Sequence, residues 1–359
     1  MELIFFKSAK EYESKMIGFY KSTPNFIDNK SSIFSLISNS KGAYYHNTIQ
    51  EMIGVMSNNK IICQCVLIKH KNFDGLMVAF FETEKNATQA VSIMVEYAKK
   101  FAKRVGAKRL IIAIDGHCDY SIGFSVGEHK TVPLFGESRN HDYYHDFFSE
   151  GFNSVEFSRY YGDFKQIYDE THTVLGFVKK KAKDITLRTA DFSKFKDEIS
   201  IYTDLSNRIF KEHWYYYHRE NNEDFEFFTK LKPFLSPHNL IFAQKDGVDI
   251  GFILAYPDFN ELVPINCRIN FFTLLKHKFL KHSISTMKVA EIAVLPEYRI
   301  KGTVLLLFAE ACKQAMLNYP STQRVVSGWV MNDNHESLKI TKRFAPNIYG
   351  NYFVYEKEL

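Results

Sequence analysis

No apolar run in this 359-residue chain is long. The longest uninterrupted ones, Leu76–Phe81 and Val304–Ala309, have six residues each, against the roughly 20 that a membrane-spanning helix needs. No membrane partner is therefore expected. The stretch Met1–Lys10 has an acidic second residue and no long apolar core, which argues against a secretory signal. Cysteine is scarce: five residues, an odd number, make no disulfide framework, and a reducing cytoplasm is the expected location. An excess of one charge is nearly absent as well. Lys and Arg number 46 against 41 Asp and Glu, and the resulting +5 is too thin for the concentrated basic face that nucleic acid requires.

What remains is ordinary globular composition, 45% apolar and 24% charged, in a length that suits one large or two medium domains. The clearest seam is Gly176–Lys183, where lysines crowd too closely to be buried. It predicts domains at 1–178 and 184–359, joined by a connector at 179–183. Both halves show one order of elements. In the first, strands at Lys60–His70 and Leu76–Glu84 precede a helix whose Ala90, Met94, Tyr97, Phe101 and Val105 recur at helical spacing. A strand at Arg109–Ile114, a helix near Tyr143–Ser149 and a strand near Val155–Phe164 follow. In the second, Leu240–Gln244 and Val248–Tyr256 flank the hairpin signal Asp246-Gly247. Then come a strand at Val289–Leu295, a helix at Val304–Asn318, a strand at Arg324–Val330, a helix at Asn334–Phe344 and a strand at Tyr349–Glu356. A duplicated α/β unit is the economical account.

Chemistry concentrates where the strand at Val289 ends. Pro296 stops it, a short loop carries Arg299, Ile300, Lys301 and Gly302, and a helix starts at once with Thr303 and Val304. Gly302 lets backbone approach a ligand, the helix start offers unpaired N–H groups, and two cations stand beside them. A pyrophosphate suits such a place. These residues resemble the GNAT superfamily of acyl-CoA-dependent N-acetyltransferases, whose fourth strand runs V-x-P-x-x-R into a glycine loop for the CoA pyrophosphate. Val294, Pro296, Arg299 and Gly302 match, while Val304 stands where the family has Gly or Ala. The resemblance implies acetyl-CoA or another acyl-CoA as cosubstrate, with the pantetheine arm along Ile292, Ala293 and Val294 and with Asn334 near that arm. Scattered further matches, among them Phe80-Phe81-Glu82 and Asn140–Tyr144, are similar to tandem GNAT proteins. The fold class implied is α/β (α+β): two tandem GNAT-like domains, each a mixed, mostly antiparallel sheet flanked by helices.

The first half resembles a degraded copy. Its junction Phe80–Ala90 lacks the Arg and the Gly and carries Glu82 and Glu84, so it is expected not to bind CoA. Where the family commonly has a tyrosine to protonate the leaving thiolate, this chain has Thr341, whose hydroxyl cannot serve. Tyr349 and Tyr352 are the substitute candidates. Glu291 is the leading general base, with Asp258 and Asn260 as alternatives that turn formation explains equally well. His213, Trp214 and Trp329 are candidates for the acceptor side. Cys63 and Cys65 read as buried thiols, and no metal is predicted. The expected function is acetyl transfer from acetyl-CoA to a small-molecule or peptide amine. The alternative is a catalytically degenerate acyl-CoA-binding or interaction protein.

Overall fold

The computed structural model describes residues 1–127 and 132–359, with backbone alone at 300 and 301. The chain begins with β1 (Glu2–Phe5), α1 (Ala9–Tyr20), α2 (Lys30–Ile37) and α3 (Ala43–His46). β2 (Thr48–Ser57), β3 (Lys60–His70), β4 (Gly75–Thr83), α4 (Thr88–Arg104), β5 (Arg109–Ile112), β6 (Phe124–Val126) and β7 (Asn153–Asp163) follow. Next are α5 (Phe164–Lys181), β8 (Ile185–Thr189), α6 (Phe195–Ile209), α7 (Asn221–Leu231), β9 (Leu240–Lys245), β10 (Val248–Pro257) and α8 (Phe271–Leu280). The chain closes with β11 (Thr286–Val294), α9 (Thr303–Asn318), β12 (Arg324–Val326), β13 (Val330–Met331), α10 (His335–Phe344) and β14 (Asn347–Glu358).

These elements gather into two compact units. Unit 1 comprises Met1–Phe157, Val263–Ile269 and Gly350–Leu359; unit 2 comprises Ser158–Leu262 and Asn270–Tyr349. The sheet of unit 1 runs β1, β2, β3 and β4 antiparallel, then β5 parallel to β4, then the end of β14 antiparallel to β5. Unit 2 repeats the plan with β8, β9, β10 and β11, then β12 parallel to β11, then the end of β7 antiparallel to β12. Each unit's closing strand therefore comes from the far side of the Lys179–Lys183 seam, which that reading does not anticipate. Period-two patterning tells which face of a strand is apolar, not which edge it joins.

Nor are those lysines a connector. Lys179–Lys181 form the last turn of α5, which Asp163 caps by accepting from the Gln166 N–H at 2.8 Å. Phe164, Ile167, Thr171 and Val178 bury one face, and cations suit the negative end of the helix dipole. The helix read near Tyr143 is a 3-10 segment, Asp142–Phe147, and the strand read at Arg324–Val330 is broken between β12 and β13. At that break a Cβ on Gly328 would lie 2.5 Å from the Ala290 carbonyl oxygen, a distance only glycine permits. All five cysteines are free; Cys63 and Cys65 lie in the core of unit 1, where burial pushes the Cys63 thiol up to about 12.

In unit 1 the β4–β5 ladder stops at Val78 and Ile112, and β4 bulges so that Phe80 and Phe81 together oppose Cys65. Phe80 takes φ 48°, a left-handed backbone that is strained for a bulky residue. Its peptide is satisfied from within: the Phe80 N–H donates to Asp115 at 2.6 Å, and the Tyr12 hydroxyl donates to its carbonyl at 2.7 Å. Beside it, Lys30 donates to Glu82 at 2.5 Å and the Tyr144 hydroxyl donates to the other Glu82 oxygen at 2.6 Å, all buried. The gap where β4 and β5 part is thus filled by the unit's own charged groups.

Burial raises the Glu82 carboxyl from its ordinary 4.5 to about 7, and the Lys30 ammonium offsets only part of the cost. Because the folded value lies above the unfolded one, this group favours folding at low pH. Its contribution, about 3 kcal/mol, is full below pH 4.5 and is lost as pH rises to about 7. Denaturant titrations from pH 5 to pH 8 should show stability falling with pH in the wild type, a flattened profile for Glu82→Gln, and a steeper one for Lys30→Met. Equal slopes in the wild type and Glu82→Gln would remove Glu82 as the cause.

Candidate functional site

Unit 2 leaves its corresponding gap differently furnished. β11 pairs with β10 through Leu254–Glu291 and Ala255–Val289, so Ala290 is an unmatched bulge residue. Strict alternation would set Lys288 and Glu291 on opposite faces. The bulge puts them on one, because Lys288 faces Tyr256 and Glu291 faces Leu254, two residues apart on a regular stretch of β10. β11 pairs with β12 only as far as Lys288 and Val326. Among the described residues no strand pairs with the other edge of Ile292–Val294.

This face carries charge and aromatic rings. The Tyr202 hydroxyl of α6 donates to Glu291 at 2.6 Å, orienting a half-buried carboxylate. Tyr202 is itself held edge-on by Phe228 and Phe252, at 5.0 and 4.8 Å between ring centroids. Trp329 stacks its indole on the Arg159 guanidinium at 3.9 Å, and the Lys288 ammonium lies 5.6 Å from the same ring. Arg159 and Lys288 are both buried. Such cation–π contacts hold the indole and both positive groups in fixed relation. Tyr202, Lys288 and Arg159 were not singled out in the sequence. A lysine inside an otherwise apolar strand was the available signal for Lys288, whereas Arg159 depends on which sheet β7 joins.

The loop after β11 has the shape that its sequence implies. Pro296–Lys301 form a 3-10 turn that ends at Gly302, with φ 81°, and α9 starts from there. A Cβ at Gly302 would sit 2.9 Å from Val178 Cγ1 of α5. Arg299 is exposed and its Nε donates to the Val294 carbonyl at 3.1 Å, closing the strand end. Thr303 is buried, its hydroxyl donating to the Tyr298 carbonyl at 2.9 Å, and Val304 is half-buried. The side chains of Ile300 and Lys301 lie outside the described residues. Ile292, Ala293 and Val294 form the edge that no strand pairs among the described residues.

Other sequence candidates fall elsewhere. Asn334 caps α10 by accepting from the Ser337 N–H at 3.1 Å. Asp258 and Asn260 are buried in a turn in which Asp258 accepts from the Asn260 N–H at 3.1 Å, so local structure accounts for both. His213 and Trp214 are exposed on the turn after α6; its buried members are Tyr215, Tyr216 and Tyr217. Asn207 holds that turn by accepting from the Tyr216 hydroxyl and the Arg219 N–H. Tyr349 belongs to unit 2, edge-on to Tyr161 at 6.4 Å. Tyr352 belongs to unit 1, where its hydroxyl donates to Glu137 at 3.0 Å. His117, Cys118 and Asp119 bring ligand-type atoms within 4.8 Å of one another. They are consecutive residues of a turn in which the His117 ring already accepts from the Asp119 N–H.

No family model matches this chain. A bacterial ceramide synthase of Caulobacter vibrioides is 20% identical over 206 residues, 53% of this chain and 52% of that protein, so the match spans about half of its length. Solved structures agree more extensively. A tandem GNAT protein from the clavulanic acid biosynthesis pathway covers 99% of this chain and 98% of its own at 11% identity, with a TM-score of 0.56. A GCN5-related glucosamine N-acetyltransferase region of a fungal multi-domain β-N-acetylglucosaminidase covers 99% of this chain and 38% of its own, at 13% identity and a TM-score of 0.58. A conserved protein of Enterococcus faecalis V583, described as a probable N-acyltransferase, covers 99% and 72% at 9% identity, with a TM-score of 0.56. At such identities the likeness fixes the fold alone. The chain has the fold of tandem GNAT proteins.

Proposed function

We propose that the chain is an acyl-CoA-dependent N-acyltransferase that moves an acetyl group from acetyl-CoA to an amine, with one CoA site, in unit 2. The observation that carries this is the junction of β11 and α9: a strand edge at Ile292–Val294 that no strand pairs among the described residues, running into a turn that ends on left-handed Gly302 at a helix start. Bound acyl-CoA would supply an activated thioester carbonyl. The α9 start and Arg299 would hold its phosphates, and the free edge of β11 would align its arm by β-like hydrogen bonds. Glu291, oriented by Tyr202, would take the proton that the acceptor amine must lose. Lys288, Arg159 and Trp329 would border the acceptor on the same side. Unit 1 is proposed to hold no CoA, since Asp115 and Tyr12 already engage the Phe80 peptide at its gap.

The curated relative's name supports one acceptor class. Ceramide is an N-acylated long-chain amine, so long-chain amines belong in the acceptor panel beside small and peptide amines. Binding of acyl-CoA without transfer is the alternative, favoured by the engagement of Tyr352 with Glu137 and by Thr341 on α10.

Titration calorimetry of the full chain with CoA should give one site. Arg299→Ala should weaken it and Gly302→Asp should weaken it by at least about tenfold, because a side chain at φ 81° is strained, collides with Val178 and adds negative charge beside an anion. Two equivalent sites would return unit 1 to consideration. In acetyl-CoA turnover, Glu291→Gln should cost about 10²–10⁴-fold in kcat with CoA affinity kept. Tyr349→Phe should slow turnover if its hydroxyl protonates the thiolate, and Tyr352→Phe should leave kcat unchanged. Absence of turnover with every amine tried, alongside intact CoA binding, would favour the alternative.

A further inference from the structure

Helix α8 carries an apolar stripe that faces outward. Phe271, Phe272 and Phe279 are 67%, 70% and 72% exposed, with Leu275 also exposed between them. At roughly 100° per residue these four fall on one arc of the helix. The opposite arc, Thr273 and His277, is buried and anchors the helix to unit 2. The His277 ring packs edge-on to Phe259 at 5.0 Å and stacks on Tyr319 at 6.1 Å. Asn270 fixes the helix start by accepting from the Phe272 and Thr273 N–H groups. The stripe is therefore held in place by a firm helix, not left out by a frayed one.

Its borders are basic. Lys278 flanks the stripe on one side and Lys276 on the other, where its ammonium also donates to the Leu262 carbonyl at 3.3 Å. No acidic residue occurs between Glu261 and Glu291. Apolar rings bounded on both sides by lysines, whose long stems reach past the rings to a polar layer, match the chemistry of a helix lying in a bilayer interface. Pairing with a second copy of the chain would press these lysine sets together, so charge complementarity favours an anionic surface over self-association.

We propose that α8 docks unit 2 on the surface of a bilayer rich in anionic phospholipid, with Phe271, Phe272, Leu275 and Phe279 entering the acyl boundary and Lys276 and Lys278 meeting headgroup phosphates. The absence of a spanning run, from which no membrane partner was expected, does not bear on a ten-residue helix that lies flat. The docking stands whether or not the chain transfers acyl groups.

The test is flotation of the full chain with vesicles of phosphatidylcholine alone and with about one third phosphatidylglycerol, at low and high salt. The expected result is binding at least about tenfold stronger to the anionic vesicles, weakened by salt. F271S/F272S/F279S should lose most of it, and Lys276→Glu with Lys278→Glu should lose the anionic preference. All five side chains lie at the surface or partly so, and an unchanged thermal midpoint would show the fold intact. Equal binding to both vesicles, or undiminished binding by the triple-serine variant, overturns the proposal. So does a wild-type dimer in sedimentation velocity that the triple-serine variant abolishes while neither form binds vesicles, since the face would then join copies of the chain.

Discussion

Ala290 is one residue more than β10 can match, and the arrangement of unit 2 follows from that surplus. A bulge reverses alternation at one point, so side chains three positions apart come to share a face. Here it sets the Lys288 ammonium and the Glu291 carboxylate on the α6 side of the sheet, where Tyr202 can reach the carboxylate. The Ala290 carbonyl projects toward Gly328, which must be glycine to pass, and the chain turns Trp329 onto Arg159. Beyond the bulge, no strand among the described residues pairs with one edge of β11 at Ile292–Val294.

Unit 1 bulges at the equivalent strand and spends the opening differently. Its β4 backbone at Phe80 is engaged by Asp115 and Tyr12, and the space beside it holds the Lys30–Glu82 pair with Tyr144. A buried ion pair is retained only while both partners are present, since either charge alone is costly in low dielectric. This opening is therefore closed by interactions whose members are costly to remove singly. The same backbone device serves two ends: in one unit it is sealed by internal charge, and in the other it fronts a loop with Arg299 and Gly302.

Much of this could be read beforehand. Ala90, Met94 and Phe101 keep one face of α4 buried, as their spacing requires, and the Asp246-Gly247 turn joins β9 to β10. The turn into α9 was legible because Pro296, Arg299 and Gly302 each impose something local: a stop, a cation and a left-handed backbone. Asp258 and Asn260 show the opposite case, since their residue types suit a turn and a site equally and the turn claimed them. The lysines at 179–181 misled because charge states exposure, and an exposed helix end is as well solvated as a linker.

The sequence by itself determined the recurring order β3–β4–α4–β5 and β10–β11–α9–β12 and the local chemistry of the β11–α9 junction, because these depend on neighbours within a few residues. Tertiary structure alone decided which sheet each closing strand joins, and with it the separation of Tyr349 from Tyr352 between the units. It also decided that Arg159, Lys288 and Glu291 gather around Trp329 and Tyr202. Strand pairing is settled by long-range hydrogen bonds and by a single bulge, and neither leaves a period in the sequence.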